Sequence, residues 1–287
     1  AEDGRAMHKS WGNSIEFNEA ADKMGVDVMR WLYCDHHPEK DLLFGYQRAD
    51  EVRRSFLIPL WNVYSFLVTY AAIDGWQPGQ DRPASTVVLD RWIRARLSEL
   101  IEAVRSALER YEPNSATARV NEFLDDLSNW YLRRSRRRFW AKTGAGPGSD
   151  SDKADAYQTL YGVLVELVKV LAPFVPFVSE VIYQNLVRGV DTQAPESVHH
   201  CSWPQPDPSH ADPGLTERMR LVKRLVTLGH AARNQAGVRL RQPLAQAAFT
   251  VRDPAEQETL GQFAELIAEE LNVKSVRLLD MAGEAVQ

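Results

Sequence analysis

From Asp50 onward the apolar residues of this chain fall on helical steps and keep to them for a long way. Val52, Phe56, Leu60, Val63, Phe66, Leu67 and Tyr70 recur three or four residues apart, which puts them on one face of a helix. Pro59 predicts a kink there, because its ring removes a backbone donor and crowds the preceding turn. Gly75 to Ser85, with Pro78, Gly79 and Pro83, reads as a connection. A second helix carries Ile93, Leu97, Leu100, Ile101, Val104 and Leu108 on one face. Pro113-Asn114-Ser115 ends it, and a third helix is expected from about Thr117 to Trp140. Thr143 to Asp152, rich in Gly, Ser and Asp, reads as a flexible loop. A fourth helix spans roughly Ala154 to Leu171, and another begins near Val178 after Pro173 and Pro176.

The pattern changes after Asp191, where a Pro-rich aperiodic stretch runs to Pro213 and marks a boundary. Beyond it the spacing predicts a basic helix from Leu215 to about Ala236. A strand over Ala247 to Val251, a helix over Ala255 to Leu271 and a strand over Val273 to Leu279 follow. The expected fold is mainly α: a helical bundle over residues 51–205, preceded by a loop and connecting helix in residues 1–50. Residues 206–287 hold the basic helix and a small C-terminal α/β appendix.

Charge decides which partners to consider. The whole chain sums to −5, but residues 91–142 hold 12 Arg and Lys against 7 Asp and Glu, a net of +5. Residues 215–242 hold 7 against 1, a net of +6, and residues 253–287 carry a net of −6. Two basic segments and an acidic tail make the overall sum a poor guide to a nucleic-acid partner. The apolar run Leu57 to Ala72 is shorter than the about 20 residues a bilayer needs, so no membrane is expected. The N-terminus has no secretory pattern, and two cysteines, Cys34 and Cys201, suit a reducing compartment without disulfides.

Gly4-Arg5-Ala6-Met7-His8-Lys9-Ser10-Trp11-Gly12-Asn13 opens the chain. With a glycine on each side, such a loop can close on a ligand and reopen. Lys9 sets a compact ammonium in it, a charge suited to phosphate. The stretch resembles the second signature of class I aminoacyl-tRNA synthetases, usually written Lys-Met-Ser-Lys-Ser and followed by Gly-Asn. Met7, Lys9, Ser10, Gly12 and Asn13 fit it; Ala6 replaces the first lysine and His8 the first serine. The resemblance implies a catalytic role for Lys9, with Ser10 and His8 as hydrogen-bonding helpers. An ammonium beside the departing pyrophosphate of ATP favours the transition state over the ground state. It also implies ATP with Mg²⁺ as substrate of a complete enzyme, and a nucleotide-binding catalytic domain upstream. A start at alanine inside a motif is what a fragment would show.

Asn129-Trp130-Tyr131-Leu132-Arg133-Arg134-Ser135-Arg136-Arg137-Arg138-Phe139-Trp140 places five arginines in six positions. At about 100° per residue they wrap most of a helix, and such a face cannot all be core. Guanidinium groups clamp phosphates, and interleaved aromatic rings offer surfaces for unstacked bases. The alternative is a solvated helix pairing with the bundle's own Asp125 and Asp126. The run resembles the anticodon-binding bundle of the isoleucyl branch of the family. Leu228-Gly229-His230-Ala231-Ala232-Arg233 with Val238-Arg239-Leu240-Arg241-Gln242-Pro243-Leu244 resembles the isoleucyl segment that crosses from the bundle into the C-terminal appendix, and Leu271-Asn272-Val273-Lys274 resembles the same family's closing strand. The residues expected to meet tRNA are Arg133, Arg134, Arg137 and Arg138, with Trp130 and Trp140 as stacking partners, and Arg239 and Arg241.

No metal site is expected. Cys34-Asp35-His36-His37 and His199-His200-Cys201 lack the paired spacing of zinc ligands. The glycines at 144, 146 and 148 have no preceding strand and no following lysine, so they read as a loop. The resemblance thus points to the C-terminal portion of an isoleucyl-tRNA synthetase. It would be a cytoplasmic monomer binding isoleucine-accepting tRNA, and this segment alone would not aminoacylate. A non-catalytic tRNA-binding module, a valyl or leucyl fragment, and a structural protein with internally paired arginines are the other readings.

Overall fold

In the computed structural model, which describes residues 1–79, 84–142, 144, 148–251 and 253–279, contacts divide the chain into Ala1–Ala211 and Asp212–Gln287. The first unit opens with the short helices α1 (Phe17–Met24), α2 (Val26–Asp35) and α3 (Tyr46–Val52). A π-type turn, Arg53–Leu57, joins α3 to α4 (Ile58–Asp74). Pro59 explains that turn. It cannot donate a backbone hydrogen bond and its ring presses on the turn before it, so the helix widens there instead of ending. The result is an uninterrupted helix of 29 residues, Tyr46–Asp74, with a mean hydropathy of 1.5 over its most apolar window. By length and composition it could therefore cross a membrane, contrary to the limit drawn from the apolar run alone. Its inner face, with Leu60, Val63 and Leu67, is buried in the bundle.

Next come α5 (Val88–Glu109), α6 (Pro113–Asp125), a second π-type turn (Asp126–Leu132), α7 (Arg133–Trp140) and α8 (Ser149–Leu171). The last helix of the bundle, α9 (Pro176–Tyr183), is prolonged by a π-type turn over Gln184–Arg188. The third expected helix starts earlier than predicted, because Pro113 occupies a first-turn position where its missing N–H costs nothing. The expected loop over Thr143–Asp152 is helical from Ser149 onward, with Gly148 in the left-handed region at φ 83° ahead of it. Residues 143 and 145–147 of that loop lie outside the described residues, as do 80–83 of the expected connection. Trp31 stacks on Phe56 and meets Phe174 edge-on, tying α2 to the far end of α8.

The second unit holds α10 (Pro213–Gln235), β1 (Leu244–Phe249), α11 (Pro254–Gln262), α12 (Ala264–Leu271) and β2 (Val273–Leu278). β1 and β2 pair in parallel, with Leu244 opposite Val273 and Phe249 opposite Leu278. A parallel pair needs a crossover, which α11 and α12 provide. The single helix expected over Ala255–Leu271 is broken at Phe263, which leaves the helical region at φ −110°. Gly229 lets α10 approach α12 closely, since a Cβ there would lie 2.5 Å from the Leu271 side chain.

Candidate nucleic-acid interface

The N-terminal loop has an internal frame. Gly4 and Gly12 take positive φ values of 80° and 68°, which glycine adopts without strain. Asn13 reaches back across the loop: its amide donates to the Ala6 carbonyl at 3.0 Å, and its Oδ1 accepts from the His8 N–H at 2.9 Å. Lys9 and Ser10 lie in a short helical turn and are exposed, and the His8 ring packs edge-on against Trp11 at 4.3 Å. Asn13 is thus a positioning residue that the sequence motif contained without revealing its task.

The arginine helix is sorted by its neighbours. Arg133, Arg136, Arg137 and Trp140, at helical three- and four-residue spacing, form one exposed stripe along α7, while Ser135 and Phe139 are buried. Trp140 is 54% exposed and its ring lies 6.4 Å from Tyr70 of α4. Phe66 continues the aromatic packing inward to Phe139, 5.1 Å away. Arg136 and Arg137 meet no carboxylate among the described residues. Arg136 was missing from the sequence-based set, although its place four residues before Trp140 puts it on the same face.

Two expected contacts point the other way. Trp130 is only 8% exposed and belongs to the bundle core, because it lies inside the π-type turn rather than on the outward stripe. It therefore offers no face to a base. Arg138 turns inward as well, its side chain 13% exposed. Its Nη1 and Nη2 donate to the two oxygens of fully buried Asp90 at 2.7 and 2.8 Å, and its Nε donates to Asp152 at 2.8 Å. Burial alone would lower the guanidinium's pKa, but the bonds to Asp90 outweigh it and hold the group above its ordinary value. Asp90 also accepts from the Ser85 hydroxyl at 2.6 Å and the Tyr131 hydroxyl at 2.9 Å. Burial first, then the Asp90 charge, push that tyrosine well above its usual range. At the end of α7, Lys153 donates to the Ala141 carbonyl at 3.0 Å and pairs with Asp74 at 2.7 Å. Arg134 is half-buried.

Asp126 is buried too, and takes its charge partner from α5: Arg96 Nε donates to it at 2.8 Å. That pair fixes the π-type turn against α5 and so sets the direction in which α7 leaves.

In the second unit, Arg239 and Arg241 are exposed on a tight turn, with the Gln242 N–H bonded to the Arg239 carbonyl at 3.0 Å. The turn follows directly from the end of α10. Among the described residues no group of three or more His, Cys, Asp or Glu side chains is placed to hold a metal ion, and Cys34 and Cys201 are half-buried free thiols.

Residues 90–248 match the family described as anticodon-binding domain of tRNA ligase. Isoleucine–tRNA ligase of Thermus thermophilus is 43% identical over 290 residues, covering 99% of this chain and 27% of that protein. Isoleucine–tRNA ligase of Dehalococcoides mccartyi is 44% identical, covering 96% and 27%. The chain thus spans about a quarter of the length of these relatives. A solved ternary complex of Agrobacterium radiobacter agnB2 LeuRS-tRNA-LeuAMS aligns with a TM-score of 0.51 at 19% identity, over 73% of this chain and 23% of that one; it supports the fold.

Proposed function

The chain belongs to the family of tRNA ligases with this anticodon-binding domain, and we propose that it is the tRNA-binding C-terminal portion of an isoleucine–tRNA ligase. The observation that carries the proposal is the outward stripe of Arg133, Arg136, Arg137 and Trp140, held from beneath by the buried Arg138–Asp90 pair within the matched segment. The arginines neutralise backbone phosphates, and Trp140 offers its face to an unstacked base. Arg239 and Arg241 form a second basic contact on the other unit.

In the complete enzyme the isoleucine carboxylate attacks the α-phosphorus of Mg-ATP. Pyrophosphate leaves, and a hydroxyl at the 3′ end of the tRNA then takes the acyl group from the resulting adenylate, releasing AMP. Lys9, exposed on a loop framed by Gly4, Gly12 and Asn13, neutralises charge that develops on the departing pyrophosphate. Ser10 and His8, on the same loop, act as hydrogen-bonding helpers at the pyrophosphate. The cytoplasm, where translation takes place, is the compartment this reading implies.

The test is a salt titration of binding between this chain and an isoleucine-accepting tRNA. Affinity should fall steeply as salt rises, because phosphate contacts release counterions; a flat response would overturn the reading. Ala6, in place of the first signature lysine, favours one second reading: a tRNA-binding module without catalysis.

A further inference from the structure

Among the described residues of the second unit Arg233 is the most confined cation: it is 6% exposed, and no carboxylate there faces it. Its Nη2 instead gathers backbone carbonyls. It donates to Arg239 at 2.9 Å, to Leu240 at 3.3 Å and to Gln242. Its Nε and Nη1 are buried without an acceptor. A buried guanidinium with unused donors is costly, so its retention needs a reason beyond filling space.

The backbone of the same residue grips the same segment. Gly237, at φ 67°, ends α10 by donating to Asn234 at 3.1 Å, and the Val238 N–H donates to the Arg233 carbonyl at 2.9 Å. These two bonds make the double-bonded glycine cap that turns a chain sharply off a helix. From the other side the Asn272 amide donates to the Leu240 carbonyl at 2.9 Å, and the Asn272 carbonyl accepts from the Leu244 N–H at 3.1 Å. The carbonyls of Arg239, Leu240 and Gln242 are thereby occupied. The turn's four side chains are all exposed, and two of them, Arg239 and Arg241, carry charge toward solvent.

We infer that Arg233 is a positioning residue for RNA binding: it clamps the 239–242 turn from beneath so that Arg239 and Arg241 are presented together to a phosphate backbone. The inference rests on the proposal that these two arginines contact tRNA. The clamp lowers the entropy lost when a mobile loop is ordered on binding. Its dependence on carbonyl acceptors rather than a carboxylate leaves the positive charge of the turn uncancelled.

The experiment compares four forms of this chain in tRNA binding across a salt series: wild type, Arg233→Met, the double variant Arg239→Ala with Arg241→Ala, and the triple variant combining them. Circular dichroism and thermal unfolding report the fold of each. The double variant should bind about tenfold more weakly, the scale of one charged hydrogen bond, with a salt slope shallower by about 1.5. Arg233→Met should reproduce most of that loss, and the triple variant should bind no worse than the double. Arg233→Lys, which keeps a donor for the carbonyls, should recover part of the affinity.

A double variant that binds like wild type overturns the RNA role of the turn and the inference with it. Loss in the double variant but wild-type binding in Arg233→Met overturns the inference alone. A triple variant much weaker than the double also overturns it, because Arg233 would then act elsewhere. Should Arg233→Met not fold, Asn272→Gly serves in its place. Glycine keeps the left-handed backbone at φ 49° and deletes only the amide that holds Leu240. A smaller loss in the same direction supports the clamp, and unchanged binding overturns it.

Discussion

Arg138 and Asp90, 48 residues apart in sequence, form a two-bond ion pair at 2.7 and 2.8 Å in the interior of the bundle. It joins the start of α5 to the end of the arginine helix, and Asp152 brings in the start of α8 through the same guanidinium. One arginine of the cluster is therefore spent on holding the helix, which fixes the direction of the arginines that face outward.

Removing one partner of that pair should be costly. Asp90→Asn is expected to destabilise the bundle by about 3 kcal/mol, the scale for breaking a buried pair, read as a lower urea midpoint with unchanged slope. Asp90→Ala combined with Arg138→Met should cost less than the two single changes together, since no uncompensated buried charge remains. Strict additivity would show that the two side chains are not coupled.

The outward stripe should behave in the opposite way. Arg136→Ala with Arg137→Ala should leave thermal unfolding nearly unchanged, because both side chains are exposed. It should weaken tRNA binding and reduce the salt slope by about 1.5, one phosphate contact for each arginine. A slope equal to wild type would mean the stripe is merely solvated.

The helices were legible because burial imposes a three- and four-residue period wherever one face of a helix meets a core. The orientation of α7 was not. The π-type turn over Asp126–Leu132 widens the helix just ahead of the arginines, and nothing in the apolar spacing announces it. Trp130 and Trp140 look alike in sequence, yet the first lies within that turn and faces the core. Arg138 is set apart from its neighbours by Asp90 and Asp152, partners too distant in sequence for local pattern to reveal. The glycines of the N-terminal loop could be read from composition. The return of Asn13 to Ala6 and His8 needed coordinates.

Stability should also depend on acid pH through Glu180. Burial alone would raise its carboxyl, but the Val198 N–H, at 2.9 Å, and the Gln184 and Ser197 side chains bring it below the ordinary glutamate value. A depressed folded-state pKa contributes stability that is fully present above the unfolded value, about 4.3. That stability is lost as pH falls through the lower folded value. Glu180→Gln should therefore lower the urea midpoint at pH 7 and differ less from wild type at pH 3. Equal differences at both would show that the charge is not what the Val198 N–H and Ser197 recognise.

Lys9 separates a synthetase segment from a tRNA-binding module. The residue is exposed and framed by Gly4, Gly12 and Asn13, so Lys9→Ala removes an ammonium without disturbing the fold. In a complete synthetase carrying this segment, the variant should slow isoleucine-dependent pyrophosphate exchange by about a hundredfold or more. The tRNA affinity should stay nearly the same, because the outward arginines are untouched. Asn13→Ala keeps the ammonium but releases the loop, so it should slow the exchange less than Lys9→Ala. An exchange rate unaltered by Lys9→Ala would remove the lysine from the chemistry and leave tRNA binding as the role of the chain.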